Sequence, residues 1–134
     1  MSIPAQEHPN ARRMRDVAEA VARGDVPTAL QQFAEDVEWY WPAEKSEDRI
    51  YRGREGLIRF FSRLNERSNG TMRPEVEESL GSDDHVVIWL RITASRDGEQ
   101  LSARVAHFAT VGPNGFERNW FLPNDAAAWN RFFG

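Results

Sequence analysis

The fold is decided by residues 85–111, which read HVVIWLRITASRDGEQLSARVAHFATV. Two runs of alternating character, residues 85–95 and 101–111, lie on either side of the dipeptide Asp97-Gly98. Alternation with a period of two is typical of strands, and a central Asp-Gly pair is a strong hairpin signal. The stretch therefore predicts two long antiparallel strands joined by a tight turn.

Three further strands are predicted outward from this hairpin, over residues 36–41, 74–80 and 116–122. Pro74 places the second of them at a sheet edge, because proline cannot donate to the hydrogen-bond ladder. In the first, Trp39 and Trp41 share one face by the same period of two. A charged loop is expected over residues 43–51.

Apolar residues at helical spacing predict helices over residues 10–23 and 53–67. Asp25 can cap a short second helix, and Asn124 or Asp125 can cap a short closing helix. Helices that precede a run of antiparallel strands are the α+β pattern, with the helices packed on one face of the sheet. Because strands twist, we expect the sheet to curl around the helices into a cone with a cavity.

Size and composition limit the classes of function. The chain has 134 residues, of which 40% are hydrophobic, so one domain over 1–134 is expected. Cysteine is absent, which excludes disulfides, thiolate metal sites and cysteine nucleophiles. The net charge is -4 without a basic stripe, so no nucleic-acid partner is expected. No apolar segment has the length of a membrane span or of a secretory signal, and we expect a cytoplasmic protein with no membrane partner.

A metal site has little support in the sequence. His8, His85 and His107 lie far apart and show no ligand spacing such as an i, i+4 pair. We therefore expect no metal ion, and no cofactor.

The order and spacing of six segments give the chain a recognisable pattern. These segments are residues 22–25, 33–39, 51–61, 83–87, 104–108 and 119–123, which read ARGD, FAEDVEW, YRGREGLIRFF, DDHVV, RVAHF and NWFLP. Together they resemble the SnoaL-like polyketide cyclases and ketosteroid isomerase-like proteins of the nuclear-transport-factor-like superfamily. The resemblance covers nearly the whole chain. It implies a curved antiparallel sheet wrapped around the N-terminal helices, with an apolar pocket and a homodimer formed through the sheet.

The resemblance also implies where catalytic groups would lie, and most are missing. The tyrosine, base and second acid of ketosteroid isomerases fall at Val17, Trp41 and Ala106. Cyclases of the SnoaL type pair a histidine with an aspartate; His107 matches the histidine, but the aspartate position is Phe121. In the limonene epoxide hydrolase branch, Arg104 would match the arginine without carboxylates to flank it. The resemblance therefore supports the fold, but the missing groups argue against each of the family's well-known reactions in this protein.

Strand parity then suggests which side chains face the pocket. Arg104, Ala106 and Phe108 share one face, which the resemblance places toward the cavity. Arg104 and Asn119 would then polarise or orient an oxygen of the ligand. Alternatively, Arg104 pairs with Glu117 on the adjacent strand and contacts no ligand. The remaining lining residues would be Val17, Trp39, Trp41, Phe60, Phe61, Leu90, Ile92 and Phe121.

His107 has the opposite parity and is expected to face outward, unless a strand bulge reverses it. It stays a candidate for proton transfer, as does Tyr40. Trp89, Arg91 and Trp120 would lie with it on the uncovered face, where large aromatic and arginine side chains suggest a partner surface.

Two hypotheses of function follow. The first is an enzyme that acts without a cofactor on a small hydrophobic, oxygenated metabolite, as a cyclase, isomerase, dehydratase or hydrolase. The second is a non-catalytic ligand-binding or dimerisation module that has kept the cone and lost its acid/base groups. An ionisable group with a perturbed pKa inside the cavity would favour the first.

Overall fold

The structure, a computed structural model, describes residues 7–40 and 50–134. In these residues the chain forms four helices and six strands. Their order is α1 (Pro9–Ala22), α2 (Val26–Leu30), β1 (Phe33–Tyr40), β2 (Ile50–Arg52), α3 (Gly53–Arg67), β3 (Arg73–Gly81), β4 (His85–Arg96), β5 (Glu99–Gly112), β6 (Gly115–Pro123) and α4 (Ala126–Phe133).

The six strands form one sheet in the order β2-β1-β6-β5-β4-β3. The predicted α+β class with a curved sheet is confirmed. Neighbouring strands are antiparallel, as predicted, except β1 and β6, which run parallel. The register shifts once in each of the pairs β1–β6, β3–β4 and β5–β6. Because bulges bend a strand and increase its twist, these shifts curve the sheet.

The turn between β4 and β5 is the predicted two-residue hairpin. Its central residues Asp97 and Gly98 have φ values of 50° and 86°. Left-handed backbone at both positions is the type I′ turn, whose twist matches that of the flanking strands. The hairpin prediction is therefore confirmed, and the turn sets the register of the two longest strands.

The helix boundaries follow the predicted caps closely. Asp25 accepts a hydrogen bond from the Thr28 amide at 3.3 Å, and Asp125 accepts one from the Ala128 amide at 3.0 Å. Of the two candidates at the last helix, Asp125 is therefore the cap. Asn124 instead accepts from the Arg104 amide at 3.3 Å.

One edge strand of the sheet was predicted from the sequence, and the other was not. β3, which contains Pro74, is an edge strand as predicted. At the other edge, Ile50 and Tyr51 pair with Tyr40 and Trp39, although a loop was expected through residue 51. So short a strand has no periodicity of its own, and its pairing with β1 defines it. Residues 43–49 of that expected loop lie outside the described residues.

The core lies between the concave face of the sheet and the helices. α1 packs on β3 and β4, and α3 packs on β1. The largest fully buried side chains there include Trp39, Phe33 and Phe60. Burial of one such side chain contributes roughly 1.5–3 kcal/mol. α4 closes one end, where Trp129 packs edge-on against Phe121 with ring centroids 5.8 Å apart.

None of the helices in the described residues has the length and apolar character needed to cross a bilayer.

Candidate functional site

His107 lies inside the cone. It is only 3% exposed and sits on the same face of the sheet as the buried side chains of β4. The expected outward orientation is therefore wrong. The register explains the error: beyond the turn Arg96 pairs with Glu99, and the ladder continues without a break to Ile88 opposite His107. Directly opposed residues share a face, so the buried Ile88 carries His107 inward.

The same register places Arg104, Ala106 and Phe108 on the outer face, so their expected orientation toward the pocket is also wrong. The side chain of Arg104 is 64% exposed, and its Nε lies 3.5 Å from Glu77 Oε1. It therefore cannot orient a ligand inside the cone. Its partner also differs from Glu117, the cross-strand partner considered in the sequence.

A small cavity, here called the inner chamber, lies between α1, α3 and the concave face of the sheet. Six of the predicted residues line it: Val17, Trp39, Phe61, Leu90, Ile92 and Phe121. His107 also lines it, together with Met14, Leu64 and Ile88, which were not predicted. Phe60 is buried behind this wall, stacked on Trp39 with ring centroids 4.7 Å apart. Trp41 lies outside the described residues.

The inner chamber is narrow. Its volume is about 30 Å³, which is room for one or two water molecules. Side chains thus fill most of the hollow that the fold allows. Met14 and Met72, both in the lining, have flexible thioether side chains that can repack around a larger occupant.

Asn119 holds the imidazole of His107. His107 Nε2 lies 3.0 Å from Asn119 Oδ1, and Asn119 Nδ2 donates to the carbonyl of Glu38 at 3.3 Å. A carbonyl can only accept, so the amide must present its oxygen to the imidazole. Nε2 therefore carries the proton, and Nδ1 keeps the lone pair without a hydrogen-bond partner among the described residues.

Burial keeps this imidazole neutral. Desolvation lowers the pKa of His107 from 6.5 to about 4, although the hydrogen bond to Asn119 acts in the opposite direction. At neutral pH the side chain is therefore an uncharged base in an apolar chamber.

Trp39 supplies a second polar group. Its indole is packed between Phe60 at 4.7 Å and His107 at 4.6 Å, measured between ring centroids. The Nε1–H is buried and has no hydrogen-bond partner in the described part of the chain. A buried donor without an acceptor costs about 1–3 kcal/mol. A ligand oxygen that reached this group would recover that energy.

Tyr40, the other candidate for proton transfer, lies on the outer face, where it stacks on Trp120 with ring centroids 5.2 Å apart. Its hydroxyl donates to Glu38 Oε2 at 3.1 Å. Burial, followed by this carboxylate contact, raises the pKa of Tyr40. It is therefore removed from the inner chamber. Within residues 7–40 and 50–134, no three His, Asp or Glu side chains gather as metal ligands would.

A comparison with known protein families agrees with the fold that the resemblance implied. The model of the SnoaL-like domain matches residues 14–116. The chain belongs to the SnoaL-like domain family.

Several proteins are similar to this SnoaL-like protein. Uncharacterized protein Rv0034 of Mycobacterium tuberculosis is 32% identical over 115 residues, which are 85% of this chain and 88% of that protein. Bal32a, from a soil-derived mobile gene cassette, is 26% identical with a TM-score of 0.84 and coverage of 93% of this chain and 96% of its own. TerC, co-crystallised with polyporic acid, is 20% identical with a TM-score of 0.79 and coverage of 94% and 98%, a likeness of fold.

In this protein, a phenylalanine stands at the position where the resemblance implies an aspartate. This residue, Phe121, packs edge-on against His107 with ring centroids 5.0 Å apart. The partner of the histidine is instead the amide of Asn119, two residues earlier on β6. Asn119 was identified from the sequence, but as a donor to the ligand. Its role as the acceptor for His107 depends on the pairing of three strands.

Proposed function

We propose that this SnoaL-like protein binds a small hydrophobic molecule bearing a carbonyl oxygen and moves a proton on it, as an isomerase or cyclase that needs no cofactor. The single observation that supports this is the neutral imidazole of His107. Asn119 occupies its Nε2, and its Nδ1 lone pair is left available beside an apolar chamber. An apolar lining with few polar groups is typical of sites for small molecules. Binding requires the lining, including Met14 and Met72, to repack, because the inner chamber has a volume of only about 30 Å³ without a ligand.

The proposed step uses the chain's own side chains. Nδ1 of His107 takes a proton from the carbon next to the carbonyl, and the electrons of the broken C–H bond form an enolate. The unpartnered Nε1–H of Trp39 donates to the enolate oxygen. In an isomerisation of a β,γ-unsaturated carbonyl compound, the imidazolium of His107 returns the proton to the γ carbon of the dienolate. In a cyclisation, the enolate carbon instead forms a C–C bond to a second carbonyl, whose oxygen takes the electron pair of its broken π bond and then the proton from the imidazolium.

The low pKa of His107 limits how strongly it can take a proton from carbon. A base with a pKa of about 4 is fully unprotonated at neutral pH, but it accepts a proton weakly. The enolate that forms beside it compensates, because an adjacent negative charge stabilises the imidazolium. We therefore expect catalysis only for carbonyl compounds whose C–H bond is already acidic.

One observation favours the second hypothesis, a binding module. No Asp, Glu, Lys or Tyr lines the inner chamber among the described residues, so His107 is its sole titratable group there. In that case Nδ1 and the indole N–H would hold a hydroxyl and a carbonyl without reaction.

Hydrogen–deuterium exchange distinguishes the two functions. β-Tetralone, an apolar bicyclic ketone with acidic C–H bonds, is incubated with the protein in heavy water and followed by proton NMR. We expect exchange catalysed by the wild type, and a loss of about 10²-fold or more in His107→Gln. His85→Gln, which changes an exposed histidine of β4, is the matched control and should leave the rate unchanged.

Binding of β-tetralone without faster exchange would support the binding module and contradict catalysis. Exchange that survives in His107→Gln would contradict the assigned base.

We also infer a homodimer through the outer face of the sheet. Tyr40, Phe108 and Trp120 form an aromatic strip there, with Trp120 5.2 Å from Tyr40 and 5.5 Å from Phe108 between ring centroids. Beside them, Trp89 is 38% and Leu122 57% exposed. A sheet face with several half-buried aromatic side chains beside two exposed apolar ones supports burial against a second copy.

A further inference from the structure

A second, larger cavity, here called the vestibule, lies next to the inner chamber. Its volume is about 510 Å³. It is bounded by the end of α1, the start of α2, the second half of α3 and the start of β3. The polar side chains that line it are Arg23, Ser62, Asn65 and Arg73.

Three side chains separate the vestibule from the inner chamber. Val21, Phe61 and Met72 line both cavities. Phe61 is 7% exposed, and Val21 and Met72 are half-buried. We call these three the neck, because a molecule that occupied both cavities would pass between them.

The vestibule is positively charged in a chain of net negative charge. The whole chain has a net charge of -4, yet the described residues around the vestibule include two arginines and neither Asp nor Glu. The counter-charge beside the lining is Asp25, which lies next to Arg23, and two arginines against one carboxylate still favour an anion.

The backbone holds one of these arginines in place. Nη1 of Arg73 donates to the carbonyls of Gly70 at 3.1 Å and Met72 at 2.7 Å. Arg73 makes no ion pair with a carboxylate of residues 7–40 and 50–134. The donors on its Nε and Nη2 therefore remain available on a guanidinium that is already oriented.

The second arginine is only loosely engaged. Nη2 of Arg23 lies 3.8 Å from Asp25 Oδ2, and the Arg23 side chain is 57% exposed. At that distance and exposure the pair contributes little, so Arg23 can turn to a ligand at small cost.

We propose that the vestibule binds the anionic end of an amphipathic acid whose apolar, oxygenated part extends through the neck to the inner chamber. The anionic group is a carboxylate or a similar oxyanion, held between Arg23 and Arg73 by charge-assisted hydrogen bonds. The inference rests on the proposed function only in placing the apolar part at the inner chamber.

Two fluorescent probes with the same apolar body test this proposal. Anilinonaphthalene sulfonate carries a sulfonate, and N-phenylnaphthylamine is its neutral counterpart. We expect the wild type to bind the sulfonate about tenfold more tightly, and the double variant Arg23→Gln/Arg73→Gln to lose that advantage. Affinity for the neutral probe should not change. High salt should weaken only the sulfonate.

Arg12→Gln/Arg131→Gln is the matched control, since it removes the same charge from exposed helix positions outside the vestibule. It should keep the wild-type ratio of the two affinities. Circular dichroism and thermal melting of each variant report whether its fold is intact. Equal affinity for the two probes in the wild type, or a ratio that both double variants change alike, would overturn the proposal.

The outcome is separable from that of the proposed function. His107→Gln should leave the ratio of the two affinities at its wild-type value. If the ratio of probe affinities depends on Arg23 and Arg73 but β-tetralone exchange does not depend on His107, the vestibule site is supported and catalysis is refuted. Catalysed exchange of β-tetralone, together with a ratio of probe affinities that does not change in Arg23→Gln/Arg73→Gln, would refute the vestibule site alone.

Discussion

Nε2 of His107 on β5 lies 3.0 Å from Oδ1 of Asn119 on β6, and this hydrogen bond is buried inside the cone. It determines which imidazole nitrogen carries the proton, and so which one can act as a base. Because the partner is an amide rather than a carboxylate, the imidazole is oriented without being charged.

Asn119→Asp should raise the pKa of His107 from about 4 toward or above 6.5, because a carboxylate at Nε2 stabilises the imidazolium. The measurement is an NMR titration of the His107 ring protons. Asn124→Asp, the same change at an exposed position just beyond β6, serves as the control. A His107 pKa that stays at its wild-type value in Asn119→Asp would contradict the assigned hydrogen bond.

The free energy of unfolding should fall in acid because of His107. Its pKa is 6.5 in the unfolded chain and about 4 in the folded one, so between these values the unfolded state binds more protons. Stability is therefore fully present above pH 6.5 and decreases as the pH falls to about 4, by about 3 kcal/mol. Urea unfolding across this range measures the effect.

His107→Gln should remove this part of the pH dependence, and what remains reports the carboxylates, including Glu7, whose pKa is lowered by its hydrogen bond to Arg15. His85→Gln should behave like the wild type. Parallel curves for the wild type and His107→Gln would show that the folded pKa is not depressed.

Trp39→Phe should strongly reduce the rate of β-tetralone exchange and only moderately reduce the free energy of unfolding. The substitution keeps an aromatic ring against Phe60 and removes an N–H that has no acceptor among the described residues. We expect a loss of stability of about 1–2 kcal/mol from the smaller ring. The exchange rate of β-tetralone should fall about 10²-fold, because the donor to the enolate is lost.

Trp120→Phe makes the same change on the outer face of the sheet and should leave the exchange rate unaltered. An unaltered rate in Trp39→Phe itself would eliminate the indole as a donor in the reaction.

Ala106→Glu should convert the proposed dimer to a monomer. Ala106 lies on the outer face opposite Trp89 and beside Leu122, so the new carboxylate would be buried without a partner in the interface. Light scattering coupled to size-exclusion chromatography should give twice the chain mass of 15.4 kDa for the wild type and a single chain mass for the variant.

Ala127→Glu, the same change at an exposed position of α4 outside the sheet, is the control and should remain dimeric. A wild type of single chain mass at micromolar concentration would refute the interface.

Much of the fold was predictable because its signals are local. Asp25 and Asp125 cap helices through bonds to residues three positions along the chain, and Asp97-Gly98 needs only its own backbone to form the turn. β2 was missed because three residues have no periodicity that a sequence can display.

The face of His107 could have been predicted. Counting outward from the two-residue turn pairs Ile88 with His107. The even positions of β4 from 86 to 92 are all apolar, whereas the odd positions also carry His85 and Arg91. On β5 alone both faces carry apolar side chains, such as Val105 and Phe108, so alternation there could not decide between them.

Local sequence patterns predicted the helices, the hairpin and the residue types of the site, and the resemblance indicated the family. Which of those residues meet depends on the tertiary structure. Trp39 lies beside Asn119 only because β1 pairs in parallel with β6, a contact that crosses most of the chain. Such a pairing depends on the packing of the whole sheet against α1 and α3, and no local pattern encodes it.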